Sequence, residues 1–168
     1  MKFDDPEVRE FLARSMVMRM ASLSPKGQPL IRCLWFVHQQ GRIRVFTTEL
    51  APTGRGISLH PVVTLIFDGE RGPRSSRLLR LRGHAVYRRE RGIVLRALLG
   101  IARKYFFAPP GLRNLLANAR KLPLAIRFYA EPGWKERGKG LGIIMEVVPE
   151  DLEFIPRSPD QAPGISAG

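Results

Sequence analysis

The chain has 168 residues, 44% hydrophobic and 26% charged. This is the composition of one ordinary globular domain with a real core, not of a disordered chain. A single cysteine excludes a disulfide framework and a thiolate-based zinc site, and a formal charge of +13 attracts an anionic partner: nucleic acid, a membrane surface, or a phosphorylated cofactor or substrate.

Residues 5–15 read as a short helix. Asp5 is placed to cap it, Pro6 fits the first helical position, and Glu7 complements the positive end of the dipole. VMRMASLS and QPLIRCLWFV are strands joined by the turn SPKG, with Pro25 and Gly27 as turn residues. QQG turns the chain again into RIRVFTT, where Ile43 and Val45 alternate with Arg42 and Arg44. These three consecutive strands read as a meander. APTGRGISLHP gives a loop and one short helix stopped by Pro61, and VVTLIFDG is a buried strand. In RLLRLRGHAVYRR, Leu79, Leu81, Ala85 and Tyr87 fall on one face and Arg80, Arg82 and His84 on the other. Residues 90–107 are helical, with Ile93, Leu95, Leu98, Leu99, Ala102 and Phe106 as their apolar side, and 111–121 form a second basic helix. LAIRFY and LGIIMEVV are the last strands. Pro156, Pro159 and Pro163 mark a flexible tail over 156–168, leaving one domain over 1–155. The class is mainly β: a split antiparallel β-barrel of six to seven strands, with an N-terminal helix and two inserted helices.

The charge is local. Residues 71–140 hold 18 basic and 3 acidic side chains, and the remainder is close to neutral. A solvated basic face is the plain alternative to a binding surface. His38, His60 and His84 lie far apart without metal-ligand spacing. The N-terminus MKFDDPEV has no signal-peptide character, and Arg96 interrupts the best apolar run, IVLRALLGIA. A cytoplasmic protein is expected.

Thr47 and Thr48 end a strand, and Arg55 opens a short helix between Gly54 and Gly56. Hydroxyls, a guanidinium and free N–H groups at a helix start suit a phosphate, and glycine lets backbone approach an oxyanion closely. A capped surface helix with one exposed arginine is the structural alternative. The strand Ile31, Arg32, Cys33, Leu34, Trp35, Phe36 offers a flat apolar wall with backbone donors, which suits a tricyclic ring. Aromatics in a strand are also ordinary core. Cys33 reads as a small buried residue rather than a nucleophile.

The ordered set MASLSPKGQPLIRCLWFVHQQGRIRVFTTE, TGRGISLHPVVTLIFD and LRLRGHAVY resembles the pyridoxamine 5′-phosphate oxidase-like split barrel, the superfamily of flavin/deazaflavin oxidoreductases. The resemblance covers about residues 15–90 well and the final strand weakly. It implies a homodimer with FMN or coenzyme F-420 in a groove between two barrels. Arg55 then takes the slot of the residue that grips the cofactor phosphate, and the backbone of residues 31–35 lies along the ring. Many relatives carry a proline where Cys33 stands. A strongly positive border suits the phosphate and polyglutamate tail of coenzyme F-420 better than FMN. Arg80, Arg82, His84 and Trp134 are candidates for the substrate or tail end of the groove; the first three could equally be exposed on the barrel exterior, and Trp134 could be a surface or interface residue.

The expected activity is hydride transfer between the bound tricycle and a small organic substrate, with no general acid evident. The alternatives are a non-catalytic flavin, deazaflavin or haem binder, and a basic nucleic-acid or membrane-surface protein. Residues 90–121 could touch a membrane surface. No nucleic-acid partner is expected, because neither an aromatic ladder nor a helix-turn-helix pattern is present.

Overall fold

The computed structural model describes residues 3–47, 52–70, 75–106 and 143–157. The elements are helix α1 (Pro6–Arg14), strands β1 (Met18–Leu23), β2 (Pro29–Leu34), β3 (Val37–Gln39) and β4 (Arg42–Thr47), helix α2 (Pro52–Leu59), strands β5 (Val62–Phe67) and β6 (Arg77–Arg88), helix α3 (Arg91–Ile101) running into a π turn (Ala102–Phe106), and strand β7 (Ile143–Pro156). The predicted helix 111–121, the strand 124–129 and the tail from residue 158 lie outside the described residues. Among the described residues no helix is long and apolar enough to cross a membrane.

The seven strands form one antiparallel sheet in the order β2-β1-β5-β6-β7-β4-β3. The expected three-strand meander does not form. The run QPLIRCLWFV breaks at Trp35 and Phe36, so β2 pairs only with β1 and β3 pairs only with β4. The two edges of the sheet are therefore joined by two residues. A flat sheet of this width would hold its edges roughly 29 Å apart at about 4.8 Å per strand. The three steps from Leu34 to Val37 reach about 11 Å at most. The sheet must roll into a half-barrel, and it does.

The inward side chains follow the period of two. Met18 and Met20 of β1, Val63, Leu65 and Phe67 of β5, and Leu79, Leu81 and Ala85 of β6 are all buried. Helix α1 adds Val8, Phe11 and Leu12 to the same core, with Phe11 edge-on to Phe154 at 5.3 Å. The end of α1 is tied to the end of β5. Ser15 Oγ donates to the Phe11 carbonyl and accepts from Gly69 N–H, and Met16 N–H donates to Glu70.

Two sequence expectations change here. Arg44, read as the outward partner of Ile43 and Val45, is buried. It pairs across the strands with Glu146 at 2.9 Å, and Arg88 reaches the same carboxylate at 3.2 Å. Gln39 and Gln40 accept from the other Arg44 nitrogens, so every polar arm of this buried pair is used. The apolar side expected for residues 90–107 is not turned inward. Leu95, Leu98 and Leu99 are exposed, and α3 seats itself through Ala97. Small residues set the approach: a Cβ on Gly100 would run into the Gln39 side chain. In addition, β7 continues through Pro156, and Arg157 N–H donates to the Ser76 carbonyl, so backbone pairing extends past residue 155.

A bulge between Arg82 and Gly83 shifts the β6–β7 register. A Cβ at Gly83 would strike the Val148 carbonyl, whereas one at Gly92 meets nothing within 4 Å. Urea denaturation should therefore show Gly83→Ala destabilised by about 1–3 kcal/mol or more. Gly92→Ala should be neutral or stabilised by up to about 1 kcal/mol.

Candidate functional site

The β1–β2 hairpin turns through Ser24–Gly27, where Gly27 has a positive φ of 77°. From there β2 runs along the sheet edge. Its inner neighbours across β1 are Met18, Met20 and Ser22, which face Leu34, Arg32 and Leu30. Ile31 and Cys33 therefore point to the convex side, followed by Trp35 at the corner. Ile31 is 75% exposed and Trp35 54%. Cys33 is also exposed, which corrects the expectation of a buried residue: among the described residues no second layer lies over the outer face of this edge strand. Because β2 has one strand neighbour, alternate N–H and C=O groups along its other edge have no strand partner among the described residues.

Helix α2 sits at the far end of this hairpin. A Cβ on Gly56 would meet the Leu23 carbonyl, so glycine allows the helix to lie directly on the β1 backbone. Leu23 in turn pairs with Pro29, the first residue of β2. Arg55 is exposed on α2, one residue from that contact, and Gly54 lies in the same helix; the helix opens at Pro52, so Arg55 is its fourth residue and not, as expected, its first. Thr47 ends β4. Thr48 and Trp134 lie outside the described residues.

The outer face continues across the sheet. The register aligns Cys33, Arg19, Ile66 and Arg80 in one row, and Ile31, Ala21, Thr64 and Arg82 in the next. Arg80, Arg82 and His84 thus share the convex face with β2, three strands away. An acidic row meets them from the β7 side. Arg80 pairs with Glu153, His84 with Glu150, and Arg82 stands opposite Asp151. Arg19 pairs with Asp68 at 2.5 Å, which raises the guanidinium pKa further. An open cleft of about 670 Å³ beside α2 is lined by Ser58, Tyr87, Arg89 and Glu90. Burial raises the Tyr87 pKa, so the phenol stays protonated.

Sequence reasoning missed the role of the π turn. Tyr105 is buried and its hydroxyl holds the β2–β3 corner. It accepts from Phe36 N–H at 2.9 Å and lies 2.7 Å from the Met16 carbonyl and 2.9 Å from that of Phe36. Trp35 stacks on its ring at 4.9 Å. Lys104 Nζ sits 3.5 Å over the Phe36 ring and donates to the Leu12 carbonyl. A π turn is uncommon and often marks a functional place, but ARKYF carries no sequence signal beyond a helix continuing. The same turn borders a second cleft, of about 730 Å³, between α1, β3 and α3. His38 of β3 lines it, and its pKa is lowered, first by burial and then by Arg9.

The family profile described as pyridoxamine 5′-phosphate oxidase matches residues 4–120. No curated protein matches the chain. Among solved structures, the fold is similar to that of a conserved hypothetical protein of Mycobacterium tuberculosis (16% identity, TM-score 0.64, covering 98% of this chain and 92% of that one). It is similar also to an F420 reductase (19%, TM-score 0.57, 86% and 94%) and to the haem storage protein HutZ of Vibrio cholerae (15%, TM-score 0.58, 93% and 95%). The half-barrel with its late helices is the split barrel these structures share, and the chain belongs to the pyridoxamine 5′-phosphate oxidase family.

Proposed function

We propose that the protein is a cytoplasmic, homodimeric oxidoreductase that binds coenzyme F-420 or FMN along the outer edge of β2. The observation that carries this reading is the state of that edge. Among the described residues it has a strand on one side only, and it combines outward apolar side chains at Ile31 and Trp35 with an exposed guanidinium at Arg55 beyond the strand's first residue. Such an edge is a hazard for a lone chain and an asset when a flat ring and a second barrel cover it. These residues fit the group chemically. The backbone of residues 31–35, including Arg32, Cys33 and Leu34, offers donors and acceptors for a polar ring rim. Thr47, Thr48, Gly54 and Arg55 offer hydroxyl, backbone and guanidinium contacts to a phosphate.

When bound, the tricycle supplies hydride chemistry. The chain contributes orientation and exclusion of water. Ile31 and Trp35 wall the ring, and Arg55 anchors the phosphate so that the ring keeps one register along β2. The basic balance of residues 71–140 favours coenzyme F-420 over FMN, because it matches a ligand with several negative charges. Arg80, Arg82, His84 and Trp134 then belong to the substrate or tail end, with the partner barrel bringing its own copy of β6 to the groove. The likeness to a haem storage protein makes cofactor storage without turnover the second outcome of any activity assay.

Arg55→Ala should weaken coenzyme F-420 or FMN binding by about 1.5–3 kcal/mol, the scale of a charge-assisted hydrogen bond. A fluorescence titration reads this, and an unchanged affinity places the phosphate elsewhere. Placing a charge on the exposed edge, as in Ile31→Glu, should turn the dimer into a monomer by light scattering. It should lower cofactor affinity at the same time if the groove is shared between barrels.

A further inference from the structure

The cleft between α1, β3 and the π turn shares no residue with the proposed cofactor groove, and its chemistry points to a ligand of its own. Its volume is about 730 Å³, and Arg9, His38, Arg103 and Lys104 reach it from three separate elements. Glu10 is the one acidic side chain lining it. Arg9 and Arg103 are exposed, and none of the ion pairs formed among the described residues involves them. Lys104 is held in place by the Phe36 ring and the Leu12 carbonyl. His38 is fixed by the tilted Phe3 ring at 4.9 Å, yet its Nε2 is buried with no hydrogen-bond partner. A buried polar nitrogen without a partner is costly, and the positive charges of Arg9 and Lys104 act on this imidazole.

We propose that this cleft binds a small phosphate-bearing molecule, with Arg9, Arg103 and Lys104 neutralising the phosphate and the His38 imidazole beside it. A tetrahedral dianion presents several oxygens at once, which suits donors converging from a helix and a π turn. Gln39, held by its bond to the Arg96 carbonyl, adds a polar side chain to the lining.

The groups acting on His38 are Arg9 and Lys104, which disfavour its charged form, and Asp4, which favours it. A bound phosphate would add a strong favouring charge, so the imidazole would take up a proton more readily. The test is an NMR titration of the His38 ring with inorganic phosphate, against chloride at matched ionic strength. His60→Gln and His84→Gln variants assign the signal. A saturable response in phosphate, with the His38 titration midpoint rising by roughly 0.5–1 pH unit, supports the site. The double variant Arg9→Gln/Arg103→Gln changes only exposed side chains, so it should fold normally and weaken the phosphate response at least about tenfold. Arg55→Ala should leave it intact, which separates this cleft from the cofactor groove. A His38 titration identical in phosphate and chloride, a response that never saturates, or one that survives the double variant would overturn the proposal.

Discussion

The structure depends on a two-residue junction. Trp35 and Phe36 connect the two outermost strands of a seven-stranded sheet, and that short tether forces the sheet to curl. Everything else follows from the curl. It encloses the methionine, leucine and phenylalanine core, and it gives α1 a concave surface to bury Val8, Phe11 and Leu12. It also leaves β2 with a strand neighbour on one side only among the described residues. Tyr105 closes the corner: its hydroxyl accepts from Phe36 N–H and has the Met16 and Phe36 carbonyls within reach of its one proton. A single hydroxyl from the far end of α3 thus fixes where the barrel's two edges meet.

This arrangement explains how one chain can present two chemically different surfaces. The convex side of β2 is apolar and exposed, while the convex side of β4 and β7 is covered by α3 over the buried Arg44–Glu146 pair. Burying that pair is tolerable because Arg88, Gln39 and Gln40 complete its hydrogen bonds. The covered side is the structural one. The other side, with Arg55 at one end and the arginines of β6 three strands away, is exposed among the described residues and is the side on which the cofactor is proposed to bind.

Much of this was legible in the residues. Asp5-Pro6 marks the start of α1, SPKG the first hairpin, and alternation in RLLRLRGHAV the two faces of β6, all through local chemistry. The edge position of Cys33, the burial of Arg44 and the outward leucines of α3 were not. Each depends on which strand or helix comes to lie beside it, and a chain whose neighbouring strands end at opposite edges of the sheet gives no local sign of that. A strand reads alike whether it sits in the middle or at an edge. The part played by Tyr105 is hidden for the same reason: its partners, Met16 and Phe36, are 89 and 69 residues away in sequence.

The cofactor is proposed to lie along the outer side of β2. Amide hydrogen exchange across Pro29–Trp35 reads this directly, with and without coenzyme F-420 or FMN. The account predicts that one of the two slows exchange in this strand and around Arg55, while the β5–β6 ladder is unchanged. Exchange along β2 that is identical in the presence of saturating amounts of both molecules would contradict it.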